Sequence, residues 1–142
     1  MQPITVTIAS PTAIELAVCK IILQREPDFA VVADSENWIA VVESVRRSVP
    51  RVLLCGFDIH TDEKFPALLA LHREFPSMRL VLLVDKVLAE HRFMHALSIG
   101  ACAYVAHDEV EQSLARAVRC VDRGEAWMPR KVLGKMVELA LR

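Results

Sequence analysis

No glycine-rich loop follows the first apolar segment of this 142-residue sequence, where the chain reads "ASPTAIE". A loop that cradles phosphates needs glycines so that the backbone can approach them, so a nucleotide-dependent enzyme is not expected. No Ser-His-Asp or Cys-His grouping stands at the predicted strand ends, and the chain reads as a non-enzyme without a cofactor. No cysteines pair at C-x-x-C spacing either: Cys19, Cys55, Cys102 and Cys120 lie far apart, each inside an apolar segment. That excludes a zinc knuckle and a dithiol redox motif, and cysteine in such a setting behaves as a small hydrophobe.

An excess of one charge is also missing. Seventeen Lys and Arg against eighteen Asp and Glu leave a net charge of −1. Phosphate neutralisation needs clustered cations, so DNA contact is expected only through another domain. No apolar run is long enough to cross a bilayer, and "MQPITVTIASP" has no charged start followed by an apolar stretch. The expectation is a soluble cytoplasmic protein without membrane contact. Apolar residues nevertheless make up 54% of the chain, enough to expect one packed domain.

What is present is alternation. Strand-like runs at 4–9, 29–33, 51–55, 79–84 and 101–105 are separated by segments of helical period. Most of the runs are continuously apolar, as parallel strands covered on both faces are. The first helical segment opens with Thr12-x-x-Glu15, a capping box, and carries Ile14, Val18, Ile21 and Ile22 on one side. The next begins after Ser35 and spaces Trp38, Val42 and Val45 for burial. A third, near 64–74, carries Leu68, Leu69 and Leu71 before Pro76. Leu88, Phe93, Met94 and Leu97 mark another, ending at Gly100, and Leu114, Ala117, Val118 and Val121 mark one ending at Gly124.

Five βα units imply an open α/β fold: a doubly wound, flavodoxin-like parallel sheet of order 2-1-3-4-5. The tail adds a helix from Pro129, rich in Val132, Leu133, Met136, Val137, Ala140 and Leu141. It is too apolar to stay in water without a partner surface. From its stop at Arg142 without a capping signal, the expectation is a boundary within a longer chain. Residues 1–126 are expected to form the domain and 127–142 a linker helix.

In order and spacing, "REPDFAVVADSENWIAVV", "REFPSMRLVLL", "ALSIGACAYVAHD" and "RGEAWMPRKVL" resemble a response-regulator receiver domain. The likeness is to the NarL/FixJ branch, whose CheY-like receivers precede a LuxR-type helix-turn-helix, and it covers residues 4 to about 135. Receivers transfer a phosphoryl group from a histidine kinase to an aspartate. They use an acidic pair for Mg²⁺, a hydroxyl residue and a lysine. Carried over by position, the acidic pair falls on Ser10 and Pro11 and the acceptor on Gly56. The hydroxyl position falls on Val84 and the lysine position on His107, while Tyr104 keeps the family's switch aromatic. The resemblance thus implies a degenerate pseudo-receiver.

Asp58 lies two residues beyond the acceptor position, and the bland reading makes it a solvated loop acid. "WMPR" is similar to a cyclic di-GMP motif of some LuxR-type regulators, which would give Trp127 and Arg130 a nucleotide contact. Pro129 replaces its hydroxyl residue, and Trp and Pro at a helix start are also ordinary packing features. His91 and His95, at i and i+4, read as exposed helix-face residues rather than metal ligands. His107 would be the pocket's only group titrating near neutral pH.

The leading expectation is a phosphorylation-independent regulatory and dimerisation domain of a LuxR-type transcription regulator, with another regulator or a kinase as further partner. A small-ligand sensor and an atypical phosphoacceptor using Asp58 are the alternatives. Self-association is expected through the first helix, the helix ending at Gly124 and the tail. Arg116, Arg119 and Arg123 facing outward opposite Glu15 and Glu26 would orient it. The face bearing His91, Arg92 and His95 ranks second.

Overall fold

The computed structural model describes residues 2–85 and 95–141, so Leu88, His91, Arg92, Phe93 and Met94 lie outside the described residues. The elements are β1 (Ile4–Ala9), α1 (Ala13–Gln24), β2 (Phe29–Ser35), α2 (Trp38–Ser48), β3 (Val52–Cys55), α3 (Lys64–Glu74), β4 (Arg79–Val84) and β5 (Ala101–Ala106). A 3-10 turn (His107–Glu109), α4 (Val110–Asp122) and α5 (Arg130–Ala140) follow. All strand pairings are parallel and the order is β2-β1-β3-β4-β5, the flavodoxin-like order expected. The strand order reverses between β1 and β3, so their carboxyl ends border the crevice where such sheets place their sites.

Continuous apolarity in β3 is explained by burial on both faces. Val52 and Leu54 join a cluster with Leu16, Leu23 and Leu114 of α1 and α4. Leu53 and Cys55 join one with Val41, Val45, Leu68 and Leu71 of α2 and α3. In α4, Leu114, Ala117, Val118 and Val121 are buried as expected, and Gly124 ends the helix with φ of 86°, open to glycine without strain.

The packing of α1 differs from expectation. Leu16, Cys19, Ile22 and Leu23 face the core, while Ile14, Val18 and Ile21 are 79%, 38% and 54% exposed. Helical spacing permits either stripe in "AIELAVCKIILQ"; only the neighbours select one. In α2, Val41 rather than Val42 is buried beside Trp38 and Val45, with Asn37 Oδ1 accepting the Ala40 N–H at 3.0 Å. The tail helix divides its apolar residues. Val132 and Met136 pack on the α2–α3 side of the core, while Leu133, Val137 and Leu141 are exposed.

The charges expected to face outward are engaged within the chain. Arg119 makes a two-pronged contact with Asp28, at 2.8 and 3.0 Å, and also reaches Glu26 at 3.2 Å. Arg123 pairs with Glu125, and Arg116 lies over the Trp127 ring. Arg25 pairs with Glu111 across α1 and α4. Arg123 finds its partner two residues on, but Arg119 and Arg25 reach partners 91 and 86 residues away, which periodicity alone does not reveal.

Two predictions follow from this packing. The Arg119 guanidinium holds the Asp28 carboxyl below its ordinary value. A depressed carboxylate stabilises the fold above its unfolded pKa, and the gain is lost as pH falls through the folded one. Because Asp28 is 36% exposed, solvent screens the pair. Asp28→Asn should then cost about 0.5–1 kcal/mol near pH 7 and almost nothing near pH 2, read from urea midpoints. Burial also pushes the Cys19 and Cys55 thiols up to about 12 and raises Cys102 and Cys120. Iodoacetamide at mildly alkaline pH should therefore leave the native protein nearly unmodified and label all four cysteines in urea; rapid native labelling would contradict a purely packing role.

Candidate functional site

The site lies at the carboxyl edge of the sheet. Ser10 follows β1 and is fully buried. Its Oγ accepts the Thr12 N–H at 3.2 Å and donates to Glu15 Oε1 at 2.8 Å. Thr12 caps α1, its Oγ1 accepting the Glu15 N–H at 3.3 Å. The capping box is therefore half formed. In a full box the glutamate would turn back to the cap N–H, but Ser10 has taken that donor and the Glu15 side chain runs inward instead.

There Glu15 Oε2 meets Nδ1 of His107, the first residue of the 3-10 turn after β5. Gly56 lies beneath the same carboxylate. Its N–H donates to the Ala9 carbonyl at 2.7 Å, holding the ends of β1 and β3 together. A Cβ at this position would overlap Glu15 Oε1 and lie 3.3 Å from Ser10 Oγ. Residues from the ends of three strands thus converge on one carboxylate, whose side chain is only 16% exposed. Glu15 is accordingly not an outward charge of α1.

In front of this group opens a cleft of about 280 Å³, lined by Gly56, Asp58, Val84, Asp85, Tyr104 and His107 among others. Val84 is half-buried. Tyr104 is buried, which raises the pKa of its phenol. Asp58 is exposed and its Oδ1 accepts the His60 N–H at 2.9 Å, turning the loop back on itself. His60 lines the same cleft, so His107 is not its only imidazole. On the other side of His107, a groove of about 340 Å³ runs along Ile14, Val18 and Cys19 to Val110.

Of the residues expected at the site, Gly56, Asp58, Val84, Tyr104 and His107 line one cleft, and Ser10 joins them through Glu15. Pro11 is exposed at the start of the α1 turn. Trp127 and Arg130 lie elsewhere. Trp127 bridges to β5, its N–H donating to the Cys102 carbonyl and its carbonyl accepting the Tyr104 N–H. His95 stacks on Phe65 with ring centres 4.3 Å apart. Among the described residues no three His, Cys, Asp or Glu side chains are placed to hold a metal, and none of their helices is long and apolar enough to cross a membrane.

The residue that sequence reasoning missed is Glu15. Its signal was present as a glutamate at the third position of the first helix, but the capping pattern explained it locally. Its reach into the site depends on Gly56, 41 positions later by the numbering.

No protein-family model matches the chain. Among curated proteins it is similar to the transcriptional regulatory protein DegU of Brevibacillus brevis, 30% identical over 119 residues, covering 84% of this chain and 50% of that one. It is also similar to the oxygen regulatory protein NreC of Staphylococcus epidermidis, 26% identical over 133 residues, covering 93% of this chain and 61% of that one. The chain thus spans about half to three-fifths of the length of these relatives. Among solved structures, the isolated receiver domain of RcsB from Salmonella enterica serovar Typhimurium superposes with a TM-score of 0.81 at 18% identity, covering 95% of this chain and 98% of that one. An RcsB structure with two dimers bound to two parallel DNAs superposes at 0.78 and 19% identity, covering 92% and 66%. The sheet order and the superpositions agree on the receiver fold, and the curated relatives make the chain similar to LuxR-family response regulators.

Proposed function

We propose that this receiver domain regulates without accepting a phosphoryl group and serves as a self-association module of a LuxR-type transcription regulator. The observation that carries the reading is the Glu15 carboxylate packed over Gly56. Phosphoryl transfer to a receiver needs a carboxylate nucleophile and oxygen ligands for Mg²⁺. The acceptor position has no side chain, and Ser10, buried and committed to Glu15 and Thr12, stands with Pro11 where metal ligands would be needed. Val84 offers no hydroxyl. Asp58 is turned onto its own loop.

The role is regulatory rather than catalytic. Residues 1–126 form the receiver unit and 127–142 lead toward a DNA-binding domain; a second regulator or a kinase is a further partner. A related structure, RcsB, is seen as dimers on DNA, which supports self-association here. The exposed stripe Ile14, Val18 and Ile21 on α1 and the outer stripe Leu133, Val137 and Leu141 on α5 supply the apolar faces for it. The cleft beside Val84 and Tyr104 favours a second reading, a small-ligand sensor. Ligand-dependent melting separates the two.

Incubation with acetyl phosphate and Mg²⁺ should leave the intact mass unchanged, and Gly56→Asp alone should not alter that, because the metal ligands stay absent. A Mg²⁺-dependent phosphate adduct on the wild type would refute the reading. For association, sedimentation at micromolar concentration should show a dimer that Ile21→Glu weakens at least about tenfold, the cost of burying a charge in an apolar contact. A wild-type protein that sediments only as monomer would remove the dimerisation role.

A further inference from the structure

The arrangement around Glu15 has the features of a receptor that is already filled. The Ser10 hydroxyl donates to one carboxylate oxygen and the His107 imidazole meets the other. Neither partner belongs to α1: Ser10 ends β1 and His107 follows β5. Beneath them the missing side chain at Gly56 leaves the space in which the carboxylate lies. The Thr12 N–H, the group that would hold Glu15 at the helix surface, is taken by Ser10 Oγ. Each feature favours the inward path.

We infer that Ser10, Gly56 and His107 form a binding site for a small carboxylate, and that Glu15 is its tethered, intramolecular ligand. The inference rests on the reading of the pocket as unphosphorylated. Tethering gives the side chain a high effective concentration, so free anions do not compete in the wild type. The occupied site ties α1 to the turn that opens α4. It thereby braces the groove along Ile14, Val18 and Val110, which borders the exposed stripe of α1. A ligand or partner that draws Glu15 out would loosen that face, which is a route to regulation without covalent modification.

The geometry sets a sharp test, because an aspartate at 56 and the glutamate at 15 would claim the same space. Glu15→Ala empties the receptor, and Gly56→Asp evicts its ligand. Each is expected to lower the melting temperature by about 3–6 °C. In the double variant the new aspartate meets the vacated Ser10 and His107, so it should melt above Gly56→Asp alone. Sodium formate should raise the melting temperature of Glu15→Ala more than that of the wild type, against sodium chloride at equal ionic strength. Additive losses in the double variant, or no formate-specific gain, would overturn the inference while leaving the mass result on phosphorylation intact. Should these variants fail to fold, Glu15→Gln keeps the question open to measurement. Amide exchange across residues 107–110 should quicken while β1 and β3 stay protected, and unchanged exchange there would count equally against the tethered ligand.

Discussion

The contact between the Glu15 carboxylate and the bare backbone of Gly56 is the constraint on which the site depends. The inner strands are buried on both faces and almost wholly apolar, with Thr7 of β1 an exception, and the polar groups of the site gather at strand ends. Ser10, Gly56 and His107 therefore meet at one edge of the sheet. A carboxylate brought there must satisfy its oxygens, because burying it without partners is costly. Ser10 and His107 provide them. A side chain at 56 would oblige the Glu15 carboxylate to shift from this position.

That arrangement bears on the pocket that the resemblance implied to be degenerate. Read position by position, Ser10, Pro11, Gly56, Val84 and His107 look like five independent vacancies. In three dimensions Ser10, Gly56 and His107 all lie against a sixth residue, Glu15, and the proposed reading is of a pocket refilled rather than abandoned. A filled pocket of this kind has one stable arrangement unless something competes for Glu15. Under the proposed reading, regulation would come from differential binding to the two arrangements.

The surface tells a related story. Arg119, Arg25 and Arg123 spend their charges on neighbouring elements, chiefly to strap α1, α4 and the start of β2 together. Exposed pairs of this kind contribute little each, but they leave the outer face of α1 apolar rather than charged. The α1 stripe therefore differs from the face that opposite charges would orient. Association there would draw on burial of Ile14, Val18 and Ile21, with charge at the rim.

Much of this was legible in the amino-acid sequence. Strand positions and sheet order follow from five apolar runs alternating with helical spacing, because a parallel sheet covered on both faces admits few other patterns. The residues around the cleft were legible through the resemblance to receiver domains, which carries Ser10, Gly56, Val84, Tyr104 and His107 to this end of the sheet. The inward face of α1 was not: a helix apolar on nearly every side offers two stripes, and only contact with β1 and α4 chooses Leu16, Cys19 and Leu23. The role of Glu15 was hidden for a deeper reason. Its local environment, a Thr12 cap three residues earlier, already accounts for a glutamate, whereas its true partners come from three strand ends far apart in the chain. Local preference is written in neighbouring residues; the meeting of Ser10, Gly56, His107 and Glu15 exists only after the sheet has closed the distance between them.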